Sequence, residues 1–279
     1  MMPTPPQAYR AKPLALPDSP LSYAQRIQTP DGAQLATFVY GHLADGQVPV
    51  LVLHGNGGTH FTFASVIDRL VTAGLAVVAF DARSQGQSTR GTAPLTYEQM
   101  ADDALVVLDA LDIATAHVLG HSDGGIEALL LARDHAARMA SIVAGGANLT
   151  PEGVIDEWDT AGSVRTNREW AAWLDEEEVP ATIDPTLLPN AREALLDAEL
   201  LQLMLDEPHI DAASLSSISC PACVLVGEHD CITREETEAI AAAIPGARLV
   251  TVPGVGHSLP RQAPDSVALQ VLTNVLLAQ

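Results

Sequence analysis

Gly120-His121-Ser122-Asp123-Gly124-Gly125 lies between an apolar run, Ala116 to Leu119, and a helical stretch, Ile126 to His135. Strand, sharp turn with serine at its apex, helix: this is the setting of a nucleophile elbow. The backbone at such an apex is strained and neighbouring strands crowd it, so the flanking residues must be small. A short G-x-S-x-G also arises by chance in Gly- and Ser-rich loops, so its weight depends on the rest of the chain.

Outward from the elbow, partners follow in order. Val224 to Val226 reads as a buried strand running into Gly227-Glu228-His229-Asp230, a loop carrying an acid. Leu249 to Val252 reads as a further strand, and Pro253-Gly254-Val255-Gly256-His257 as a loop carrying a histidine. Ser122, Asp230 and His257 thus occur in the chain order expected of serine hydrolases on an open α/β sheet. Upstream, Val50 to Leu53 runs into the Gly-rich loop His54-Gly55-Asn56-Gly57-Gly58. Asp81-Ala82-Arg83-Ser84-Gln85-Gly86-Gln87-Ser88 follows the strand Ala76 to Phe80.

With these five motifs in order, the chain resembles the α/β-hydrolase family over roughly residues 24 to 278. It departs from the family pattern at Ser84, where glycine is frequent, and in the His54 loop, which lacks a common proline. The resemblance implies Ser122 as nucleophile, His257 as its base and Asp230 as the acid orienting the imidazole. Backbone N–H groups of Asn56 and Asp123 then face the oxyanion, where one such donor is worth about 3 kcal/mol. His54 organises the oxyanion loop, and Asp81 and Arg83 form a structural pair bracing theirs. Glu228 is a second candidate acid, structural by its earlier position. The Ser-Asp-Gly-Gly run is also similar to that of biphenyl-hydrolase-like amino-acid-ester hydrolases, which implies pairing of Asp123 with a substrate amine. Its alternative role is to cap the following helix.

Short apolar runs alternate with helical patterns: strand 49–54, helix 60–73, strand 76–80, helix 96–111, strand 116–120, helix 124–136 and strand 140–145. This predicts a doubly wound, mostly parallel eight-stranded sheet, its strands apolar throughout because both faces are covered. An antiparallel hairpin, Tyr23 to Thr29 and Gln34 to Tyr40, precedes it. The alternation breaks and then resumes with strand 222–227, helix 234–243, strand 248–252 and helix 263–277. The expected organisation is a Pro-rich extension over 1–22, a core over 23–146 and 215–279, and a helical cap over 147–214. Helices are expected near 151–160, 164–178 and 190–205. All three tryptophans fall in the cap. Trp170 and Trp173 are candidate pocket residues or helix glue alike, and Trp158 is read as glue. Phe61, after the oxyanion loop, either lines a pocket or packs in the core.

The charge balance is acidic: 14 basic against 35 acidic residues, net −21, in 279 residues. Such a field disfavours nucleic acid and anionic membranes and suits a neutral or cationic small-molecule substrate. Cys220-Pro221-Ala222-Cys223 has redox spacing but enters a strand, not the helix N-terminus that activates a thiol. No spacing makes a metal site, and no cofactor is expected. With no secretory h-region and no run of ~18 apolar residues, the expected location is cytoplasmic. A homodimer is compatible with the sequence. The expected activity is hydrolysis of a small carboxylic ester through an acyl-enzyme. A lactone, an amide or a C–C bond next to a ketone is an alternative target, and a receptor without turnover a further one.

Overall fold

The computed structural model describes residues 2–6, 15–177, 179–180 and 188–279. Eight strands form one sheet: β1 (Leu21–Gln28), β2 (Gln34–Tyr40), β3 (Val50–Leu53), β4 (Val77–Phe80), β5 (Ala116–His121), β6 (Met139–Gly145), β7 (Ala222–His229) and β8 (Arg248–Gly256). Their spatial order is β1-β2-β4-β3-β5-β6-β7-β8. The β1–β2 and β2–β4 pairs are antiparallel and every other pair is parallel. This is the doubly wound α/β sheet expected. The last two strands run past their predicted ends, since His229 still pairs with Gly256.

Interior strands send alternate residues to opposite faces, and both faces are covered. From β3, Leu51 and Leu53 enter one apolar cluster and Val50 and Val52 the other. The first cluster takes Met100 and Leu108 from α2 (Tyr97–Ala110) and Ile126, Leu129 and Leu130 from α3 (Asp123–Asp134). The second takes Val66, Ile67 and Leu70 from α1 (Ala64–Thr72). That i, i+1, i+4 stripe is why α1 forms; the predicted 60–73 helix begins instead as a 3-10 turn, His60–Phe63, capped by Thr59.

Between β6 and β7 the chain makes a helical excursion, α4 (Thr160–Glu176) and α5 (Ala191–Asp206), before α6 (Arg234–Ala243), α7 (Leu259–Gln262) and α8 (Pro264–Leu277) complete the core. The helix expected at 151–160 is absent. A 3-10 turn covers Pro151–Gly153, and Val154 pairs with Ile232 in an isolated antiparallel bridge. The Asp156 carboxylate accepts from the backbone of Trp158 and Thr160, a local turn that competes with helix. α5 starts on a capping box, Asn190 with Glu193. Among the described residues, no helix is long and apolar enough to cross a membrane.

Chain order reverses around β3: β4 lies on one side and β5 on the other. Open α/β sheets bind ligands in the crevice at such a reversal, beyond the strand C-termini. The loop after β3 carries Asn56 and the turn after β5 carries Ser122.

Candidate active site

At the elbow, Ser122 holds φ 57° and ψ −120°, a conformation a side-chain-bearing residue adopts only where its surroundings enforce it. The enforcement is visible at two glycines. A Cβ on Gly120 would lie 1.8 Å from the Gly124 carbonyl oxygen, and one on Gly124 would lie 2.2 Å from that of Leu53. The Ser122 N–H donates to the Gly145 carbonyl at 2.8 Å, while the Ser122 carbonyl accepts from Gly125 and Ile126 and so opens α3. The serine therefore sits at the positive end of a helix.

Ser122 Oγ lies 3.0 Å from His257 Nε2, and His257 Nδ1 lies 2.7 Å from Asp230 Oδ1. Asp230 is buried, and its carboxylate also accepts from the backbone of Ile232 at 3.0 Å and Gly227 at 3.4 Å. Burial opposes the Asp230 anion, but the His257 contact and these N–H donors outweigh it and hold its pKa below the usual carboxylate value. Burial likewise opposes protonation of His257; Asp230 and the neighbouring Cys231 outweigh it and raise the ring's pKa. In its neutral form, with Nδ1–H bonded to the acid, an imidazole so placed presents Nε2 as an acceptor toward the serine hydroxyl. His121 holds the backbone that carries this ring. Its Nε2–H donates to the His257 carbonyl at 2.6 Å, and burial first, then His257, push its pKa down to about 3, so it stays neutral.

The loop after β3 is set by His54, whose Nδ1–H donates to the Gly55 carbonyl at 2.8 Å while Nε2 accepts from Ala82 N–H at 2.9 Å. Its predicted organising role agrees with these contacts. Asn56 Nδ2 donates to Asp123 Oδ2 at 2.9 Å and to the Leu200 carbonyl of α5 at 3.0 Å. Tyr97 Oη donates to the other Asp123 oxygen at 3.0 Å. Asp123 thus links the elbow, the Asn56 loop and α2. Burial raises its carboxyl to about 6 against the pull of these two donors. One helical turn along, Glu127 is fully buried, its Oε1 without a partner among the described residues; burial, then Asp123 and Asp103, push its pKa well above the usual value.

Other expectations are rearranged. Asp81 and Arg83 do not pair with each other. Asp81 accepts from His60 N–H at 3.0 Å and from Gln87 N–H at 2.9 Å, while the Arg83 guanidinium forks onto Asp103 at 2.7 and 2.6 Å and reaches Asp31. The backbone sends successive side chains of that loop in different directions, and Ser84 takes the left-handed φ of 67° usual for glycine. Phe61 lies outside the cavity; its ring sits 3.9 Å from that of His60. Trp170 is fully buried, donates Nε1–H to the Pro189 carbonyl at 2.8 Å and packs on Trp173 with ring centroids 5.3 Å apart. Both join a cluster of their own, away from the cavity wall. Trp158, read from sequence as glue, is 62% exposed and lines the cavity. The three cysteines are free, and burial raises the Cys223 thiol to about 11, against redox reactivity of the C-x-x-C pair.

A cavity of about 710 Å³ opens above Ser122. Its wall includes Asn56, Asp123 and His257 from the core, Trp158, Asp159 and Asn167 from the helical insertion, and Cys231 beside the acid. Asp123, Asp159 and Glu207 give the described wall three carboxylates, and no Lys or Arg is among them. Asn56 Oδ1 and Asn167 Oδ1 have no partner among the described residues, leaving acceptors in the same wall. Asp230, Cys231 and His257 place ligand-type atoms within 4.8 Å of one another, the one such group among the described residues. Sequence reasoning missed Tyr97, His121, Cys231 and Glu207. Tyr97 and Glu207 reach the site through packing of separate elements and carry no local motif, whereas His121 and Cys231 stand next to Ser122 and Asp230 in the chain, where adjacency alone gives no role.

A chain with this sheet, elbow and cavity is an α/β hydrolase. Residues 50–270 match the model of the alpha/beta hydrolase family, and the protein belongs to that family. The chain is 28% identical to a protein named "Putative carbamate hydrolase RutD" from Caulobacter sp. (strain K31), over 84% of this chain and 92% of that one. It is 27% identical to the serine hydrolase BPHL of Mus musculus, over 79% and 76% of the two chains. Among solved structures it is similar to a thermophilic esterase from Thermogutta terrifontis, with TM-score 0.70 and 26% identity over 92% of this chain and 99% of that one.

Proposed function

We propose that this hydrolase cleaves a small carboxylic ester through an acyl-enzyme on Ser122. The observation that carries the reading is the hydrogen-bonded chain Ser122–His257–Asp230 at the floor of the cavity. Ser122 Oγ attacks the carbonyl carbon as His257 Nε2 takes its proton, and Asp230 stabilises the imidazolium. The backbone N–H groups of Asn56 and Asp123 serve the oxyanion of the tetrahedral intermediate. Collapse expels the alcohol, which leaves with the proton from Nε2. Water then gives a proton to Nε2 as it attacks the acyl carbon; the C–Oγ bond breaks, Nε2 returns the proton to Ser122 Oγ, and the acid is released. The helical insertion acts as the cap of this site.

The acidic, acceptor-rich wall supports a neutral or cationic substrate over an anionic one. Asp123 follows the nucleophile directly and supplies the charge by which a substrate amine is read. Kinetics on matched short-chain p-nitrophenyl esters, α-amino-acid esters, a lactone, an amide and a carbamate test both points. Ester turnover by the wild type, reduced at least about 10³-fold in Ser122→Ala, is the expected result. Equal turnover by the variant would overturn the assignment. Asp123→Asn is expected to penalise amino-acid esters well beyond neutral ones; equal losses confine Asp123 to bracing.

A further inference from the structure

Thr4, Pro5 and Pro6 form part of the wall of the cavity that contains Ser122 and His257. Pro6 is buried and Pro5 half-buried, so this stretch is packed in place. Two consecutive prolines hold the backbone extended and remove two N–H groups that would otherwise need partners at the wall. The segment is fastened at two points. Met2 packs against the cluster of Trp170, Ala171 and Ala194 on the helical insertion. Farther along, the backbone N–H groups of Asp18 and Ser19 donate to the Asp68 carboxylate of α1 at 3.1 and 2.7 Å. Among the described residues, Met2 thus contacts the insertion, and Asp18 and Ser19 contact the sheet core. The segment also lies outside the family match, which begins at residue 50.

We propose that the N-terminal segment is a size filter: a strap that walls one side of the substrate cavity and excludes bulky esters. Trp170 and Trp173 act here as the platform on which the strap docks. The substrate arm of this inference rests on the ester reading of the site; the shape of the cavity does not.

Two variants test it: a chain lacking residues 1–14, and full-length Met2→Asp, which sets a charge against the tryptophan cluster and undocks the strap. The first readout is kcat/KM for p-nitrophenyl decanoate relative to p-nitrophenyl acetate. A rise of this ratio by about tenfold or more in either folded variant is expected, since one misplaced methylene in an apolar pocket is already worth about 10-fold or more. The second readout needs no turnover. Cys231 lines the same cavity, and mass spectrometry follows its alkylation by N-ethylmaleimide and by a pyrene maleimide. The bulky reagent is expected to gain on the small one in both variants. If neither ratio moves, the strap does not filter by size. If the thiol ratio moves but no ester is turned over by any form, the filter stands and the ester reading falls. Should the truncated chain fail to fold, Met2→Asp decides.

Discussion

At the residue scale, the site is built around buried carboxyl groups with opposite tendencies. Asp230 keeps its charge because a histidine and two backbone donors face it, whereas burial pushes Asp123 to about 6 and Glu127 well above its usual value. The sign of the resulting pH dependence follows from linkage. A carboxyl whose folded pKa exceeds its unfolded value binds more protons when folded, so its contribution falls as pH rises from the unfolded to the folded pKa. For Asp123 that window runs from 3.8 to about 6, and Glu127 extends it upward. Replacing Glu127 by Gln keeps the shape and removes the proton. Thermal melts from pH 4 to pH 8 are expected to show the variant matching the wild type at pH 4 and melting several degrees higher at pH 8. Parallel curves would show that Glu127 does not titrate in this range.

At the scale of elements, core packing and cavity lining separate among the tryptophans. Trp170 has no exposed surface and its indole N–H is spent on Pro189, so Trp170→Ala is expected to destabilise by about 3–5 kcal/mol in urea unfolding. Trp158→Ala, at a cavity wall and 62% exposed, is expected to stay within about 0.5 kcal/mol of wild type while changing KM. The reverse outcome would exchange the two roles. This division was not legible in the sequence, and the reason is physical. Ser122, Asp230 and His257 each end a strand, and the parallel order of β5, β7 and β8 brings strand ends together without further information. Trp158 and Trp170 both sit in polar-rich helical patterns, and which face meets the core depends on how α4 and α5 dock. The core strands were legible because their apolar runs are continuous, and α1 because its apolar residues recur on one face. The predicted 151–160 helix failed where the Asp156 side chain captured the backbone.

At the scale of the whole molecule, charge sets the environment of the fold. With 35 acidic against 14 basic residues, the acidic groups outnumber the basic ones by 21. Self-repulsion of this kind weakens the compact state and is screened by salt, with a Debye length of about 30 Å at 0.01 M and about 8 Å at 0.15 M. The melting temperature at pH 7 is therefore expected to rise between these two ionic strengths. A fall would mean that pairs such as Arg90–Glu199, which fastens α5 to the core at 2.6 Å, contribute more than the repulsion removes.

The Asn56 amide donates in two directions, to Asp123 beside the nucleophile and to the Leu200 carbonyl on α5. One small group is thus shared by floor and roof. If α5 lifts to admit a substrate, it carries Leu200 away and leaves that amide held from one side, at the moment when bulk water reaches the serine. With α5 seated, both bonds are made. Coupling is the consequence: whatever displaces α5 also loosens the loop that leads to the elbow.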